Sequence, residues 1–454
     1  MNGSQNDFMT AVVRLAIVIA AFSLRADNVA PAVNPPGGLA VDKCPMFIAF
    51  GFDDNGYPDG INWAADFLKS KKNPAGNGNP STFDGTPLHA SFFITSGYCT
   101  DSLMAGDGTH FKAIDVLNSW KRLYTDGNDI GDHTHTHADE LELNHSKAVW
   151  DWENSTCIGI LTGSVGVPRA QIIGFRTPFL MFTKESMQSE LDYNFLYDCS
   201  IEHFKDQVTD PYNPRYVWPY TLDKGQAPSS YVRDPTFTSA PGLWEMPVYE
   251  IMTDTTWQAV TGLDWNMWVS KSMNKSQFEY CLKLTLDNRL SHNRAPFLIG
   301  MHSDYYSQYN DVANGPQGAK ETWQNRRAAV EDFITYALAL NKDIRIVSYK
   351  DVLSWVRHPV ALGSVTSIVS MAPGMQAGRI HACFENGYLR IMTPVSGIYH
   401  TALYDCGGRL VLDLGKNDLA AGNNALTLRR SLPEGMYMLK IDGAENILVK
   451  LDRR

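Results

Sequence analysis

Short apolar runs alternate with longer mixed segments along most of the chain. The runs are mostly continuous and rich in Ile, Phe and Val, as expected of strands that a sheet buries on both faces. Seven of them predict strands, at residues 46–52, 90–95, 129–133, 172–176, 195–201, 297–302 and 344–349.

A helical period marks the segment between the last two of these strands. Residues 326–340 place apolar side chains on one stripe at helical spacing, namely Val330, Phe333, Ile334, Ala337 and Leu338. Buried strands that alternate with helical segments over about 300 residues are typical of parallel sheets. We therefore predict an α/β fold, an irregular (β/α) barrel of about seven parallel strands.

The last part of the chain has a different pattern. Helical periodicity fades after His358-Pro359, and a stretch rich in Ser, Gly, Pro and Ala follows. Short runs separated by turn residues at intervals of about 8–12 residues are typical of β-sandwiches. A small C-terminal β-sandwich is predicted from six such runs, at residues 388–393, 397–405, 409–414, 424–428, 435–441 and 447–451.

The first residues form an apolar segment, 15–24, that follows Arg14. This segment is too short to span a membrane, which takes about 20 residues. Its length, the preceding positive charge and the small residues near Ala26 predict a secretory signal peptide over residues 1–26 and a secreted protein. A buried N-terminal helix is the alternative. Residues 27–43, rich in Pro, Gly and Asn, are predicted to be a linker.

Composition excludes several classes of protein. The 454 residues are 44% hydrophobic and 19% charged, as in globular chains with a substantial core. The net charge of −10 and the lack of a basic cluster argue against a nucleic-acid partner. The seven cysteines contain no CxxC pair, so a thiolate zinc site is not expected. In an exported protein some cysteines should pair, and Cys383 with Cys406 is the nearest candidate.

Charged and imidazole side chains stand where four of the predicted strands end. Asp53 and Asp54 end the first strand, residues 133–137 follow the third, Arg176 ends the fourth and His302 ends the sixth. In barrels of parallel strands, the carboxyl ends of the strands share the face that holds the active site. The sequence therefore predicts an active site at this face.

Three of these residues suit a metal ion. Asp54, His133 and His137 supply one carboxylate and two imidazoles, the ligand set of a catalytic zinc with one position left open. Another divalent ion such as Co²⁺ or non-haem iron fits the same set. His135 is an alternative ligand if the segment is extended, because alternate residues then share a face. An Asp-Asp pair by itself is also common in helix caps and loop turns.

Asp53 and His302 suit proton transfer. Asp53 adjoins a metal ligand but points the other way along a strand, which leaves its carboxylate free to act as a general base. Arg176 can pair with that carboxylate and keep it ionised, although a surface ion pair is an equally simple reading. His302, from another strand, can act as the acid that protonates a leaving group.

These motifs resemble those of the polysaccharide deacetylases, carbohydrate esterase family 4 with its NodB-homology domain. The similar motifs are Phe52-Asp53-Asp54, His133-Thr134-x-x-His137, Arg176-x-Pro178-Phe179 and a late His302, in the same order over residues 44–360. The flanking sequence is similar in particular to insect-type chitin deacetylases. That similarity lies in Lys72-Asn73-Pro74, Tyr197-Asp198, and residues 218–222, 243–246 and 293–296.

The resemblance implies a zinc-dependent amide hydrolase with assigned residue roles. Asp53 would be the base that Arg176 orients, His302 would be the acid, and the backbone N–H of Phe179 would complete an oxyanion hole. Two motifs depart from the family pattern. The Asp-x-x-Asp-Trp motif is not recognisable near residues 197–204, which leaves Asp198 as a candidate to orient His302. The usual Leu-x-His is Gly300-Met301-His302.

The sequence predicts a secreted hydrolase that removes N-acetyl groups from N-acetylglucosamine polymers, chitin or chitooligosaccharides. One alternative is an O-acetyl esterase on xylan or a peptidoglycan deacetylase, and another is an inactive glycan-binding module. A polysaccharide partner is expected in each case, with no nucleic acid and no stable membrane span. Four aromatic residues are candidates for stacking on sugar rings, with burial in the core equally expected: Trp218, Tyr220, Trp244 and Tyr305.

The predicted domains follow from these boundaries. Residues 44–362 form the deacetylase domain, 363–378 a second linker and 379–454 the C-terminal sandwich. That last domain weakly resembles bacterial secretion or sorting domains, and a carbohydrate-binding module is the competing interpretation.

Overall fold

The computed structural model describes residues 27–364 and 381–451, which form two compact units that divide after Ser364. Short internal stretches lie outside this description, at 106–107, 140–143, 204–215, 230–231, 257, 311–319, 386–387, 394–396, 406–408, 421, 429–431, 433–434 and 442–446. The predicted signal peptide and most of the predicted linker 363–378 also lie outside the described residues.

The first unit contains twelve described strands and seven described α-helices. The strands are β1 Met46–Asp53, β2 Ser91–Ile94, β3 Asp129–Asp132, β4 Gly174–Phe175, β5 Tyr197–Asp198, β6 Glu202–His203, β7 Tyr220–Thr221, β8 Trp244–Glu245, β9 Val248–Met252, β10 Ala259–Thr261, β11 Phe297–His302 and β12 Ile344–Ile346. The helices are α1 Pro58–Lys69, α2 Ala113–Thr125, α3 Lys147–Ile160, α4 Lys184–Asp192, α5 Lys275–Ser291, α6 Trp323–Leu340 and α7 Tyr349–Arg357.

A curled, mostly parallel sheet forms the centre of this unit. Its strand order is β11-β1-β2-β3-β4-β5-β8-β7, and β12 also pairs with β1. Only the β7–β8 pair is antiparallel among these pairings. All seven predicted strands are in the sheet, so the predicted irregular (β/α) barrel is confirmed. The two-residue strands β7 and β8 are too short to show a pattern in the sequence.

Burial explains why the central strand and the last long helix have their sequences. All eight residues of β1 are buried, which accounts for its unbroken apolar character. Helix α6 begins at Trp323, where the Thr322 side chain accepts a hydrogen bond from the Asn325 backbone, three residues before the predicted start. Its predicted stripe faces inward, with Phe333 and Ala337 fully buried.

The start of the described chain, within the stretch 27–43 predicted to be a linker, is hydrogen-bonded to the barrel. The backbone of Thr221 in β7 donates to the carbonyl of Val29 over 2.9 Å, and Trp218 donates to Ala32 over 2.8 Å. Farther along, the segment forms two short 3-10 helices, at Pro36–Gly38 and Val41–Lys43. We call residues 27–33 the N-terminal strap.

The second unit has seven described strands in two small antiparallel sheets. The strands are β13 His381–Glu385, β14 Tyr388–Thr393, β15 Gly397–Asp405, β16 Leu410–Leu419, β17 Gly422–Thr427, β18 Gly435–Ile441 and β19 Ile447–Leu451. The sheet orders are β13-β14-β17 and β16-β15-β18-β19. Leu389 of the first sheet and Leu403 and Leu439 of the second belong to one hydrophobic core. This is the predicted small sandwich, with β13 as a strand that the sequence pattern missed.

The cysteines in the first unit do not pair. Cys44, Cys99, Cys157, Cys199 and Cys281 are free thiols. Cys406 and the side chain of Cys383 lie outside the described residues, so that disulfide stays a prediction. Within the described part of the chain, no helix is both long and apolar enough to cross a membrane.

Candidate metal centre and hydrolytic site

The register of the sheet brings the predicted site residues together. The β1–β11 pairing sets Asp53 beside His302, and the β3–β4 pairing sets Asp132 beside Phe175, so His133 and Arg176 follow as neighbours. All six charged or imidazole residues predicted for catalysis or metal binding therefore lie at the carboxyl ends of β1, β3, β4 and β11.

The loops at this face have unusual backbone conformations. Ten non-glycine residues in the described chain have positive φ, and six of them lie here: Asp54, Asn55, Thr134, His137, Phe179 and Leu180. Positive φ is unfavourable for residues with a Cβ and persists where the surroundings enforce it. Such a concentration is typical of a functional site.

Asp54, His133 and His137 form a compact group of metal-ligating atoms. One such atom from each residue lies within 4.8 Å of the others. Oδ1 of Asp54 lies 3.2 Å from Nε2 of His137 and 3.7 Å from Nε2 of His133. This oxygen is buried and accepts no hydrogen bond. A buried carboxylate oxygen without a donor, facing two imidazole nitrogens, fits a divalent cation such as zinc.

The hydrogen bond of His133 leaves its other nitrogen free to bind metal. Nδ1 lies 2.7 Å from the carbonyl oxygen of Arg176, which can only accept, so Nδ1 carries the proton. Burial lowers the pKa of His133 to about 4, so the ring is neutral at physiological pH. Burial also raises the pKa of Asp54, but His137, His302 and His133 outweigh it and hold that pKa below its ordinary value.

His135 lies apart from this group. The strand ends at Asp132, and the Glu153 carboxylate accepts the backbone N–H groups of His135 and Thr136 over 2.7 and 2.9 Å. The segment is therefore a turn, and the Nδ1 of His135 lies 2.9 Å from the Ser96 hydroxyl. The extended conformation that would have made His135 a ligand is absent.

Asp53 and Arg176 form a buried ion pair, and the surface alternative is wrong. Asp53 is 3% exposed and Arg176 is 1% exposed. Nη1 of Arg176 donates to Oδ1 of Asp53 over 2.8 Å. The same guanidinium donates to the carbonyls of Gly51 and Cys199 and to the hydroxyl of Tyr349. With its donors engaged in this way, Arg176 holds the Asp53 carboxylate in one orientation.

Asn55 is a further residue of this turn, which the sequence analysis missed. Its side-chain amide donates to the carbonyls of Phe52 and Phe93 over 2.8 and 2.9 Å, at the ends of β1 and β2. Its own carbonyl accepts from Nε1 of Trp120 over 2.8 Å. Asn tolerates positive φ better than most residues with a side chain. Asn55 thus fixes the turn that presents Asp53 and Asp54 in different directions.

Asp264 orients His302, and the proposal of Asp198 for this role is wrong. Oδ1 of Asp264 accepts from Nδ1 of His302 over 2.7 Å, and Oδ2 accepts from the His302 backbone over 3.0 Å. Asp264 is fully buried. Burial lowers the pKa of His302, but the Asp264 carboxylate, with smaller contributions from Asp54 and Asp53, outweighs burial and raises this pKa to about 9. Asp198 instead accepts from the hydroxyl and backbone of Ser200.

A sequence signal for Asp264 existed. Asp264-Trp265 is an Asp-Trp pair between the Arg176 motif and His302. This pair lies about 60 residues beyond 197–204, the stretch in which the motif was expected.

Close packing against residues 262 and 263 explains why position 300 is a glycine. The Gly300 backbone donates to the carbonyl of Gly262 over 2.7 Å. A Cβ at position 300 would lie 1.9 Å from Cδ2 of Leu263, so Leu263 occupies the space that a side chain would need. This close approach brings the adjacent Asp264 to His302.

Phe179 and the aromatic candidates divide between the site and the core. Phe179 is 48% exposed, and its ring centroid lies 4.9 Å from that of His137. Tyr305 is half-buried, and its ring centroid lies 4.9 Å from that of His302. The remaining three, Trp218, Tyr220 and Trp244, are buried in the core, so their proposed stacking on sugars is wrong. Nε1 of Trp244, for example, donates to Asp27 of the N-terminal strap.

Comparison with known proteins gives structural neighbours of one kind. No family model and no curated protein match the sequence. Among 41 matching chains of solved structures are polysaccharide and peptidoglycan deacetylases of carbohydrate esterase family 4.

Three of these neighbours illustrate the range of sequence identity and structural similarity. A "putative polysaccharide deacetylase" from Mycobacterium smegmatis has 15% identity and a TM-score of 0.44, over 73% of this chain and 95% of that one. A family 4 domain of a xylanase from the Trinervitermes trinervoides hindgut metagenome has 14% identity and a TM-score of 0.33, over 68% and 89%. Peptidoglycan deacetylase PdaC from Bacillus subtilis has 12% identity and a TM-score of 0.36, over 70% and 94%. At these identities and TM-scores the neighbours do not indicate a function, which has to be inferred from the geometry of the site.

Proposed function

We propose that the protein is a metal-dependent deacetylase of acetylated polysaccharides, with N-acetylglucosamine polymers such as chitin as the preferred substrate class. One observation carries the proposal. The buried Asp53 carboxylate is held by Arg176 next to the group of Asp54, His133 and His137 but outside it, and the sheet register sets it beside His302. A glycan-binding module needs no such free carboxylate beside a metal site.

Asp54, His133 and His137 would hold the metal, for which zinc is proposed because two of the ligands are imidazoles. A bound divalent cation supplies Lewis acidity at the acetyl group that is being hydrolysed. Asp53 takes the proton of the attacking water at its carboxylate. The backbone N–H of Phe179, in the turn Pro178–Leu180, donates to the oxyanion.

His302 completes the reaction by giving its proton to the leaving nitrogen. Nδ1 of His302 is engaged by Asp264, so the proton on Nε2 is the one available for transfer. The pKa of about 9 keeps the ring protonated at neutral pH. An amine leaves a tetrahedral intermediate only after protonation, so a histidine held in its acid form favours amides over esters. This favours N-acetyl substrates over acetylxylan.

The experiment is acetate release measured on three substrates: chitin oligomers, acetylxylan and peptidoglycan. Fastest release from chitin oligomers is expected, with none from a His302→Gln variant on the amide substrates. Faster acetate release from acetylxylan or peptidoglycan would replace chitin as the proposed substrate. No acetate release from any of the three by a metal-loaded protein would reject the proposed deacetylase function. Export is part of this proposal, since chitin and peptidoglycan lie outside the cytoplasm, and N-terminal sequencing of secreted protein tests it.

A further inference from the structure

The residues just after β5 form hydrogen bonds to three consecutive residues at the end of β4, Phe175, Arg176 and Thr177. The Cys199 backbone donates to the carbonyl of Phe175 over 3.0 Å, and Nε of Arg176 donates to the carbonyl of Cys199 over 3.0 Å. These two bonds use the backbone of position 199. The third bond requires a particular side chain, because the Thr177 backbone donates to the Ser200 hydroxyl over 2.8 Å.

The Ser200 hydroxyl is itself oriented. It donates to Oδ1 of Asp198 over 2.6 Å, while the Ser200 backbone donates to Oδ2 over 2.8 Å. Both residues are fully buried. With its proton directed at Asp198, the hydroxyl presents a lone pair to the Thr177 N–H. Asp198, Ser200 and Thr177 thus form a fixed chain of hydrogen bonds, which we call the Ser200 relay.

Three parts of the proposed site depend on the segment that this relay holds. The Arg176 guanidinium holds Asp53, and the Arg176 carbonyl accepts from Nδ1 of His133. Thr177 then leads into the turn Pro178–Leu180, in which Phe179 has a φ of 53°. A shift of this segment would therefore move the base, a metal ligand and the Phe179 N–H together.

We infer that Ser200 is a positioning residue for the reaction, which acts through Thr177 on the segment that carries Arg176 and Phe179. The inference rests on the proposed function and deepens it. Ser200 is fully buried, so its loss should alter the rate of the chemical step and the geometry of the metal ligands rather than substrate affinity.

The test is Ser200→Ala in the full chain, measured for kcat, KM and Zn²⁺ affinity. Misplacement of catalytic groups by about 1 Å costs up to ~10²-fold in rate, so kcat should fall on the order of 10-fold to 10²-fold with KM little changed. Zn²⁺ should bind on the order of 10-fold more weakly, because His133 loses part of its orientation.

Ser189→Ala is a matched control. The Ser189 hydroxyl accepts from the Asn154 amide over 3.0 Å and donates to Asp151 over 2.7 Å, and the residue is fully buried in α4. Like Ser200→Ala, the Ser189→Ala variant therefore loses one hydrogen bond from an N–H group and one to a carboxylate, but at a position outside the site. A comparable fall in melting temperature for the two variants, with kcat and Zn²⁺ affinity altered only in Ser200→Ala, supports the inference.

Equal kcat and equal Zn²⁺ affinity in Ser200→Ala and Ser189→Ala would overturn it. If Ser200→Ala does not fold, Ser200→Cys tests the same bond, because a thiol sulfur accepts hydrogen bonds only weakly, and a wild-type kcat and Zn²⁺ affinity there would overturn the inference equally. The Zn²⁺ titration does not depend on turnover. A wild-type protein without deacetylase activity would therefore reject the proposed function while the affinity comparison still decides the role of Ser200.

Discussion

The base side of the site, Asp53 with the metal ligands, is built from neighbouring strands of one sheet, whereas the acid side depends on a second sheet. Asp53 is fixed through Arg176, which also bonds to the carbonyls of Gly51 and Cys199 and the hydroxyl of Tyr349. His302 is fixed through Asp264, three residues beyond β10, which belongs to the separate sheet β10-β9-β6. The base side therefore has several supports, and the acid side relies on a single carboxylate.

This difference predicts two kinds of response to mutation. Changes on the base side should remove the chemistry while the surrounding bonds keep the fold. Changes on the acid side should instead shift the protonation behaviour of the reaction, because Asp264 makes the largest contribution that raises the pKa of His302.

Removal of the metal should have the largest effect. Chelator treatment is expected to reduce acetate release to background, and Zn²⁺ or Co²⁺ should restore it. Mg²⁺ should fail, since it prefers oxygen ligands and two of the three ligands are imidazoles. Full activity in a sample shown to be metal-free by elemental analysis would contradict the assignment of Asp54, His133 and His137.

Asp53→Asn should come next in size. A positioned general base contributes ~10²–10⁴-fold, so kcat should fall by that order while zinc stays bound at Asp54, His133 and His137. Asp84→Asn is a matched control, because Asp84 forms a buried pair with Arg345 near the amino end of β1. The control should lose thermal stability and keep kcat. A folded, zinc-loaded Asp53→Asn variant with most of its kcat would remove Asp53 from the mechanism.

Asp264→Asn should have a smaller effect that depends on pH. Asp264 raises the pKa of His302, and His302 donates its proton only while it is protonated. Without the Asp264 anion that pKa falls, so the alkaline limb of the kcat profile should move to lower pH, with the greatest loss of rate above neutral pH. An alkaline limb at the wild-type position in Asp264→Asn would assign that limb to another group.

Gly300→Ala should have the smallest effect. The new Cβ would overlap Cδ2 of Leu263, and overpacking of this kind costs about 1–3 kcal/mol. Both the melting temperature and kcat should fall, since the segment that carries Asp264 is displaced. Adding Leu263→Ala should recover part of the melting temperature, because it vacates the overlapping volume. No recovery in the double variant would show that the strain lies elsewhere.

The same difference explains what the sequence could predict. Asp53, His133, Arg176 and His302 each follow or end a strand with a clear apolar pattern, so parallel pairing alone places them at one face. Asp264 follows the three-residue strand β10, which the apolar pattern did not predict. Its placement depends on the bond between Gly300 and Gly262, a contact between distant residues that leaves no periodic signal.

The burial of the aromatic residues could not be predicted from the sequence either. Trp218, Tyr220 and Trp244 have the composition of a sugar-binding surface and of a protein core alike. Their positions in the core depend on the short strands β7 and β8 and on the N-terminal strap, none of which has a recognisable pattern.

The N-terminal strap also bears on self-association. Strand β7 ends the hydrogen-bonded order of the large sheet, and an unpaired outer edge of this kind is a template for strand addition by another chain. Val29 occupies that edge, because it accepts from the Thr221 backbone and donates to the Thr221 hydroxyl. A chain that begins at residue 34 would expose the edge, and light scattering at rising protein concentration should then detect aggregation that the longer chain resists.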